Sequence, residues 1–272
     1  MNIVEINTCD YGSTGKIMLS IAYRAVGSEM SVCTFSRAWK NQKCKQNNHT
    51  FFGSYVENGV HHVLRMITGF DSCFSVFGTK KLLKNLTAFQ PDVLHLHNLH
   101  GDYINLPLLF KYIKKYNVPV VWTLHDCWAF TGHCPHFTIE KCEKWKEHCF
   151  KCPQYRKYPK SLFDNSKKMF RLKKKLFTGV KNLTIVTPSQ WLADLVKQSF
   201  LKDYPIKVIH NGIDLTVFKP TPSDFRKKYG IPENKFILLG VAFGWGVRKG
   251  LDVFIELAHR LDKEKFQIVL VG

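Results

Sequence analysis

His125 and Asp126 stand at the end of a short apolar, β-branched run, Val120 to Leu124. Such a run reads as a strand buried in a parallel sheet. Ligands of open α/β sheets bind outside the carboxyl ends of the strands. A histidine followed by an acid at that point can work as an acid–base group near neutral pH, with the carboxylate holding the imidazole in one tautomer. The plainer alternative is a pair that only caps the next segment. Four cysteines follow, Cys134, Cys142, Cys149 and Cys152, with His133, His136 and His148 among them. Cys149-x-x-Cys152 has zinc-ligand spacing, and Cys134 and Cys142 complete a candidate structural Zn tetrahedron. The gaps match no common zinc-ribbon pattern, so buried or partly oxidised thiols pinning a long loop are the competing reading.

Two glycine-rich turns carry a different chemistry. Ile3 to Ile6 runs into Thr8-Cys9-Asp10-Tyr11-Gly12-Ser13-Thr14-Gly15 and then a helical pattern from Lys16. Backbone N–H groups at such a turn, with a helix N-terminus behind them, favour phosphate. Asp10 and Ile17 depart from the P-loop, and the three-glycine dinucleotide fingerprint is absent. Phe243-Gly244-Trp245-Gly246-Val247-Arg248-Lys249-Gly250 is a second such turn, and a basic one. Between them, Asp92 to His97 reads as a strand entering Asn98-Leu99-His100-Gly101. The three histidines there suggest metal, but strand alternation is expected to separate them. His97 and Asn98 are then read as polar groups lining a cleft.

The elements that must position these groups alternate. Strands are expected at Ile3–Ile6, Met30–Phe35, Asp92–His97, from Val118, at Leu183–Thr187 and Lys207–Ile209, and then at Phe236–Val241 and Gln267–Val271. Helical periodicity falls at Val60–Ile67, Lys80–Phe89, Leu106–Lys115, Gln190–Gln198 (Ser189 as N-cap), Phe225–Tyr229 and Leu251–Leu261. Residues 37–50 read as a polar surface loop. The linker-like Lys219-Pro220-Thr221-Pro222 marks a change of composition. The outline is α/β, with two doubly wound Rossmann-like domains. The expected division is 1–206, containing the Cys-rich loop 127–153, and 207–272, which is incomplete.

The chain has 272 residues, 45% of them hydrophobic, which is enough for a large core. No apolar run nears the ~20 residues of a membrane helix. The N-terminus has no signal-peptide pattern, and nine cysteines without one argue against a disulfide framework, so a cytoplasmic protein is expected. The net charge of +19 suits nucleic acid, anionic headgroups or phosphorylated substrates. Residues 156–177 interleave cations with Leu162, Phe163, Met169, Phe170, Leu172, Leu176 and Phe177. They read either as an element on an anionic membrane surface or as a solvated helix whose aromatics face the core.

In order along the chain, Gly12-Ser13-Thr14-Gly15, Pro91 to Gly101, Trp122 to Trp128 with the Cys-rich loop, Thr187 to Leu192, Asn211-Gly212-Ile213-Asp214 and Arg248-Lys249-Gly250 form one set. With these stretches the chain resembles the bacterial family 4 glycosyltransferases of capsule and exopolysaccharide clusters. The resemblance implies a GT-B fold, with an N-terminal acceptor-binding domain and a C-terminal nucleotide-sugar domain. It implies retention of anomeric configuration and no required cofactor or essential metal, with a UDP- or GDP-sugar as donor. The acceptor is then a glycan or a lipid-linked glycan at the inner face of the cytoplasmic membrane. By analogy, Gly12 and Gly15 approach the donor diphosphate, Lys249 neutralises it beside Arg248, and His125 with Asp126 lies at the reacting centre. His97, Asn98, Trp128 and Ser189 line the acceptor cleft. Two departures stand out: Phe243 occupies a position where many members carry arginine, and the family's Glu-x7-Glu acids would fall beyond Gly272. Little or no turnover is therefore expected of residues 1–272 alone.

Two other classes compete. A zinc-dependent nucleic-acid-binding protein would show salt-dependent DNA affinity, but the cysteines form one irregular cluster in an otherwise wound α/β chain, and no nucleic-acid partner is expected. A nicotinamide-dependent oxidoreductase would need the missing glycine fingerprint, and Glu29 sits in a Gly-Ser-Glu turn instead of at a strand end.

Overall fold

A computed structural model of the chain describes residues 1–39 and 48–272. It divides into two compact units, Met1–Gly212 and Ile213–Gly272. The division comes after the last strand of the first sheet, six residues beyond the expected 206/207.

In the first unit, seven strands form one parallel sheet. They are β1 (Asn2–Ile6), β2 (Ser31–Arg37), β3 (His49–Phe52), β4 (Val93–Leu96), β5 (Val120–Thr123), β6 (Leu183–Thr187) and β7 (Ile206–Val208). The order is β3-β2-β1-β4-β5-β6-β7. Strand order reverses between β1 and β4, so the chain leaves these two strands in opposite directions and opens a crevice at their carboxyl ends. Arg37 of β2 and His49–Thr50 of β3 fall inside the stretch expected to be loop, and residues 38, 39 and 48 lie outside any strand or helix. Residues 40–47 of that expectation lie outside the described residues.

The helices are α1 (Gly12–Val26), α2 (Tyr55–Thr68), α3 (Val76–Phe89), α4 (Leu106–Tyr116), α5 (Ser166–Phe177) and α6 (Gln190–Val196). Their starts follow the capping chemistry of the sequence. Ser54, Asn105 and Ser189 each accept an N–H from the first turn of the helix they precede. None of the helices described is long and apolar enough to cross a membrane.

Side-chain alternation sorts the sheet into two faces. Val4, Ile6, Leu94, Leu96, Trp122 and Leu124 enter the apolar core with Leu109, Phe110 and Phe177. Glu5, His95, His97 and Thr123 occupy the other parity of the same strands. In α5, Met169, Phe170 and Phe177 are buried, as the core-facing helix reading expects, and Lys167, Lys168, Arg171, Lys174 and Lys175 are exposed.

The second unit is smaller. β8 (Phe236–Val241) pairs in parallel with β9 (Phe266–Val271), joined through α8 (Leu251–Arg260). A one-turn helix, α7 (Phe225–Lys228), precedes them.

A candidate active site at the switch point

At the carboxyl ends of β4 and β5, His97 and His125 meet. His97 Nδ1 lies 3.0 Å from His125 Nε2, and the two rings stack at 11°. On its other side, His97 Nε2 faces the Glu5 carboxylate at 3.4 Å, and His95 Nδ1 faces the second Glu5 oxygen at 3.7 Å. Glu5 is fully buried. Burial works against its charge, but the two imidazoles hold the carboxyl below its ordinary range. Burial keeps His97 neutral, and burial reinforced by His97 pushes His125 down to about 4.

These charges assign the protons. A buried carboxylate favours an N–H on the nitrogen facing it, so His97 carries its proton on Nε2. His97 Nδ1 is then an acceptor, and His125 must donate from Nε2. The lone pair left on His125 is that of Nδ1. Trp122 Nε1 donates to the His97 carbonyl at 2.9 Å and fixes the strand end. His95 is held from its far side by Thr123 Oγ1 at 2.8 Å.

The expected His125–Asp126 dyad does not form. Adjacent residues leave a strand on opposite sides, and Asp126 Oδ2 instead lies 2.9 Å from His100 Nε2. Its other oxygen accepts the Trp128 N–H at 2.8 Å, capping the short 3-10 turn Trp128–Phe130. Burial opposes charge on both partners, but the pairing raises His100 and lowers Asp126, so this is an ion pair. A neutral imidazole and a charged pair thus sit side by side. The expected separation of the histidines also fails. His95 and His97 are two residues apart and share a face, and His100 reaches the site from the following loop.

His97, Asn98, His125, Asp126 and Trp128 line one open pocket, with Leu99, His100 and Leu124. The Trp128 ring is buried, with Nε1 donating to Asp71 Oδ2 at 2.8 Å and the Lys173 ammonium 3.5 Å over its face. Ser189 is not among these groups, because its hydroxyl is used in capping α6.

The glycine turn is tied to this pocket through Asn7. Asn7 Oδ1 accepts the Asn98 N–H at 3.3 Å, and its Nδ2 donates to the Cys9 carbonyl and the Thr14 hydroxyl. Gly12 has φ +67°, a left-handed conformation that favours glycine. At Gly15 a Cβ would stand 2.5 Å from the Asp10 carbonyl carbon, so only glycine lets the turn fold back on the helix. The first turn of α1 opens behind it and has no side-chain cap. Arg248 and Lys249 lie in the second unit, exposed in the turn Val247–Lys249 before α8.

Sequence reasoning missed Glu5, Asn7, Asp71 and Lys173, and weighed His100 only as a metal ligand. A charged residue inside the apolar run Ile3–Ile6 was a usable signal for Glu5. Nothing local marks Lys173 among its basic neighbours.

This fold is of the GT-B type, an α/β architecture shared with solved glycosyltransferases. Sucrose-phosphate synthase (tll1590) from Thermosynechococcus elongatus matches with a TM-score of 0.64 at 12% identity, over 100% of this chain and 62% of that one. Anabaena Alr3699/HepE, solved in complex with UDP and glucose, matches with a TM-score of 0.57 at 17% identity, over 100% and 61%. The chain belongs to Glycosyltransferase Family 4, whose sequence profile matches residues 17–217. It is similar to an Escherichia coli (strain K12) protein named as a colanic acid biosynthesis glycosyl transferase, WcaC, with 37% identity over 132 residues. That match covers 46% of this chain and 32% of the relative.

Proposed function

We propose that the protein takes part in sugar transfer from a UDP- or GDP-sugar to a glycan or lipid-linked acceptor in exopolysaccharide or capsule synthesis, with retention at the anomeric carbon. Family membership supports the reaction class, and the name of the E. coli relative supports the polymer. HepE, of the same fold, was solved with UDP and glucose. In this reading residues 1–206 bind the acceptor and residues 207–272 belong to the donor side.

The carrying observation is His125 stacked on His97 beside the His100–Asp126 pair at the switch point, where burial holds its imidazole neutral. An unprotonated imidazole offers a hydrogen-bond acceptor to sugar hydroxyls without adding a positive charge next to a forming oxocarbenium ion. Asp126, held ionised, supplies negative potential on the same rim. Asn98 and Trp128 complete the acceptor wall. A leaving nucleoside diphosphate gains negative charge as its bond to the sugar breaks, and Gly12, Gly15, Arg248 and Lys249 are of the type that stabilises it through backbone N–H groups and fixed cations. No step of this chemistry calls for a metal.

The test is made in the native host, on the gene as it stands in the genome. His125→Ala is expected to abolish the polymer and the transfer of labelled sugar from a nucleotide donor in cell extracts. Unchanged polymer and unchanged transfer would refute the assignment.

A further inference from the structure

The fold leaves a second group of reactive side chains unused by the reaction. Residues 127–165 contain no strand and no α-helix, only three short 3-10 turns. Segments this long without regular structure need something else to hold them. Here the loop closes on one small cavity whose wall includes Cys134, Cys142, Cys149 and Cys152. All four are free thiols, and Trp145 and Phe137 line the same cavity.

Cys152, Cys149 and Cys142 all act on the Cys134 thiol, Cys152 most strongly, and Cys152 and Cys142 act on Cys149. The backbone around Cys149 and Cys152 is closely held. The Gly132 N–H donates to Cys149 Sγ at 3.1 Å, and a Cβ on Gly132 would stand 2.6 Å from the Cys149 Cβ. The Cys152 N–H donates to Asp164 Oδ2 at 2.8 Å. Backbone N–H donation to sulfur and an anchored ligand backbone are the outer-shell features that orient metal thiolates.

The charge around the cluster points the same way. Lys173 is fully buried, and its hydrogen bonds go to the carbonyls of Trp128 and Thr131 at 2.8 and 3.1 Å. A buried ammonium needs a counter-charge. Asp71 supplies the foremost one, Cys149, Asp126 and Cys134 act on it after that, and Lys144 acts on Cys152.

We propose that Cys134, Cys142, Cys149 and Cys152 bind one structural Zn²⁺ as a tetrathiolate that pins the 127–165 loop beside the candidate active site. Four cysteine ligands close the tetrahedron and leave no open position, so the ion is structural and not catalytic. Binding releases the thiol protons, and the resulting complex of two net negative charges faces Lys173 and Lys144. Two other groups have ligand atoms within 4.8 Å of one another, Glu5–His95–His97 and His61–Asp71–Asp102. The sulfurs are more openly spaced than these and would gather on the ion by side-chain rotation.

The test uses the full chain, untagged and purified without chelator. Elemental analysis is expected to find one zinc per chain, released stoichiometrically by a mercurial that titrates thiols. Cobalt in its place is expected to give strong thiolate-to-metal charge-transfer absorption. Cys149→Ser should lose the metal, while Cys33→Ser on β2 and Glu5→Gln should keep it. Thiols that titrate freely in metal-free native protein would overturn the proposal. So would an intact mass short of two hydrogens per bridge, or metal that is lost in Glu5→Gln.

Discussion

His125 should stay neutral far below the pH at which histidines ordinarily ionise. In an unfolded chain it takes a proton near 6.5, whereas in the fold burial, reinforced by His97, defers protonation to about 4. Between these values the unfolded state binds more protons, so stability is intact above the upper value and is lost as pH falls toward the lower one. At 1.36 kcal/mol per pH unit the full loss is ~3 kcal/mol, most of it present by roughly pH 4.5. His125→Gln removes the titrating group and its share of the loss. Urea unfolding of both proteins, near neutrality and at about pH 4.5, should show the variant losing about 2–3 kcal/mol less on acidification. The other groups that act on the ring, His97, Asp126, His95 and His100, are present in both proteins. The imidazole resonances of His125 give the direct check. A midpoint near 6.5, or equal acid sensitivity in the two proteins, would refute the reasoning.

Glu5→Gln should leave the sheet folded but remove the charge that keeps the His97 proton on Nε2; nitrogen-detected NMR is expected to show the Nδ1–H tautomer of His97 gaining population and the His125 signals shifting with it. Retention of a single Nε2–H tautomer would show that the carboxylate does not set it. Gly15→Ala places a methyl 2.5 Å from the Asp10 carbonyl carbon, and should cost ~1–3 kcal/mol by overpacking, read as a lower thermal midpoint together with weaker nucleotide-sugar binding. Leu162 and Phe163 are more than half exposed beside the cations of 156–177. Leu162→Asp with Phe163→Asp is expected to weaken sedimentation with anionic vesicles at low salt, and unchanged sedimentation would remove this segment from any membrane contact.

Much of the scaffold could be read from the sequence because its signals are local. Apolar β-branched runs gave β1, β4, β5 and β6. Ser189 capped α6 as its position ahead of Gln190 required. β3 was missed because His49–Phe52 is a short edge strand behind a polar stretch, and its pairing with β2 exists only in three dimensions. The ends of α2 and α3 were read short for a related reason. Glu57, near the start of α2, accepts the N–H groups of Phe77 and Gly78 at the start of α3, so each start depends on the other helix.

The candidate site was legible in its residue types but not in its wiring. His125, Asp126, His97 and Asn98 were expected together, and the pocket gathers them. Their partners were misassigned, because sequence adjacency suggested that Asp126 serves His125. Strand geometry rules this out, since neighbours diverge while residues at matching heights on adjacent strands converge. The register sets Glu5 against His95, and His97 meets His125 diagonally, two residues beyond the position opposite it. Charge inside a parallel sheet is costly unless partnered, so Glu5 is better read as the far end of a relay than as an accident of β1. That relay fixes which nitrogen of His125 carries the proton, and the only lone pair it leaves on that ring is at Nδ1. A substitution at Glu5 should therefore alter the behaviour of His125 without contact between the two. Lys173 makes the converse point: five of its neighbours in the same basic segment face solvent, and only the fold reveals that this one lies under Trp128.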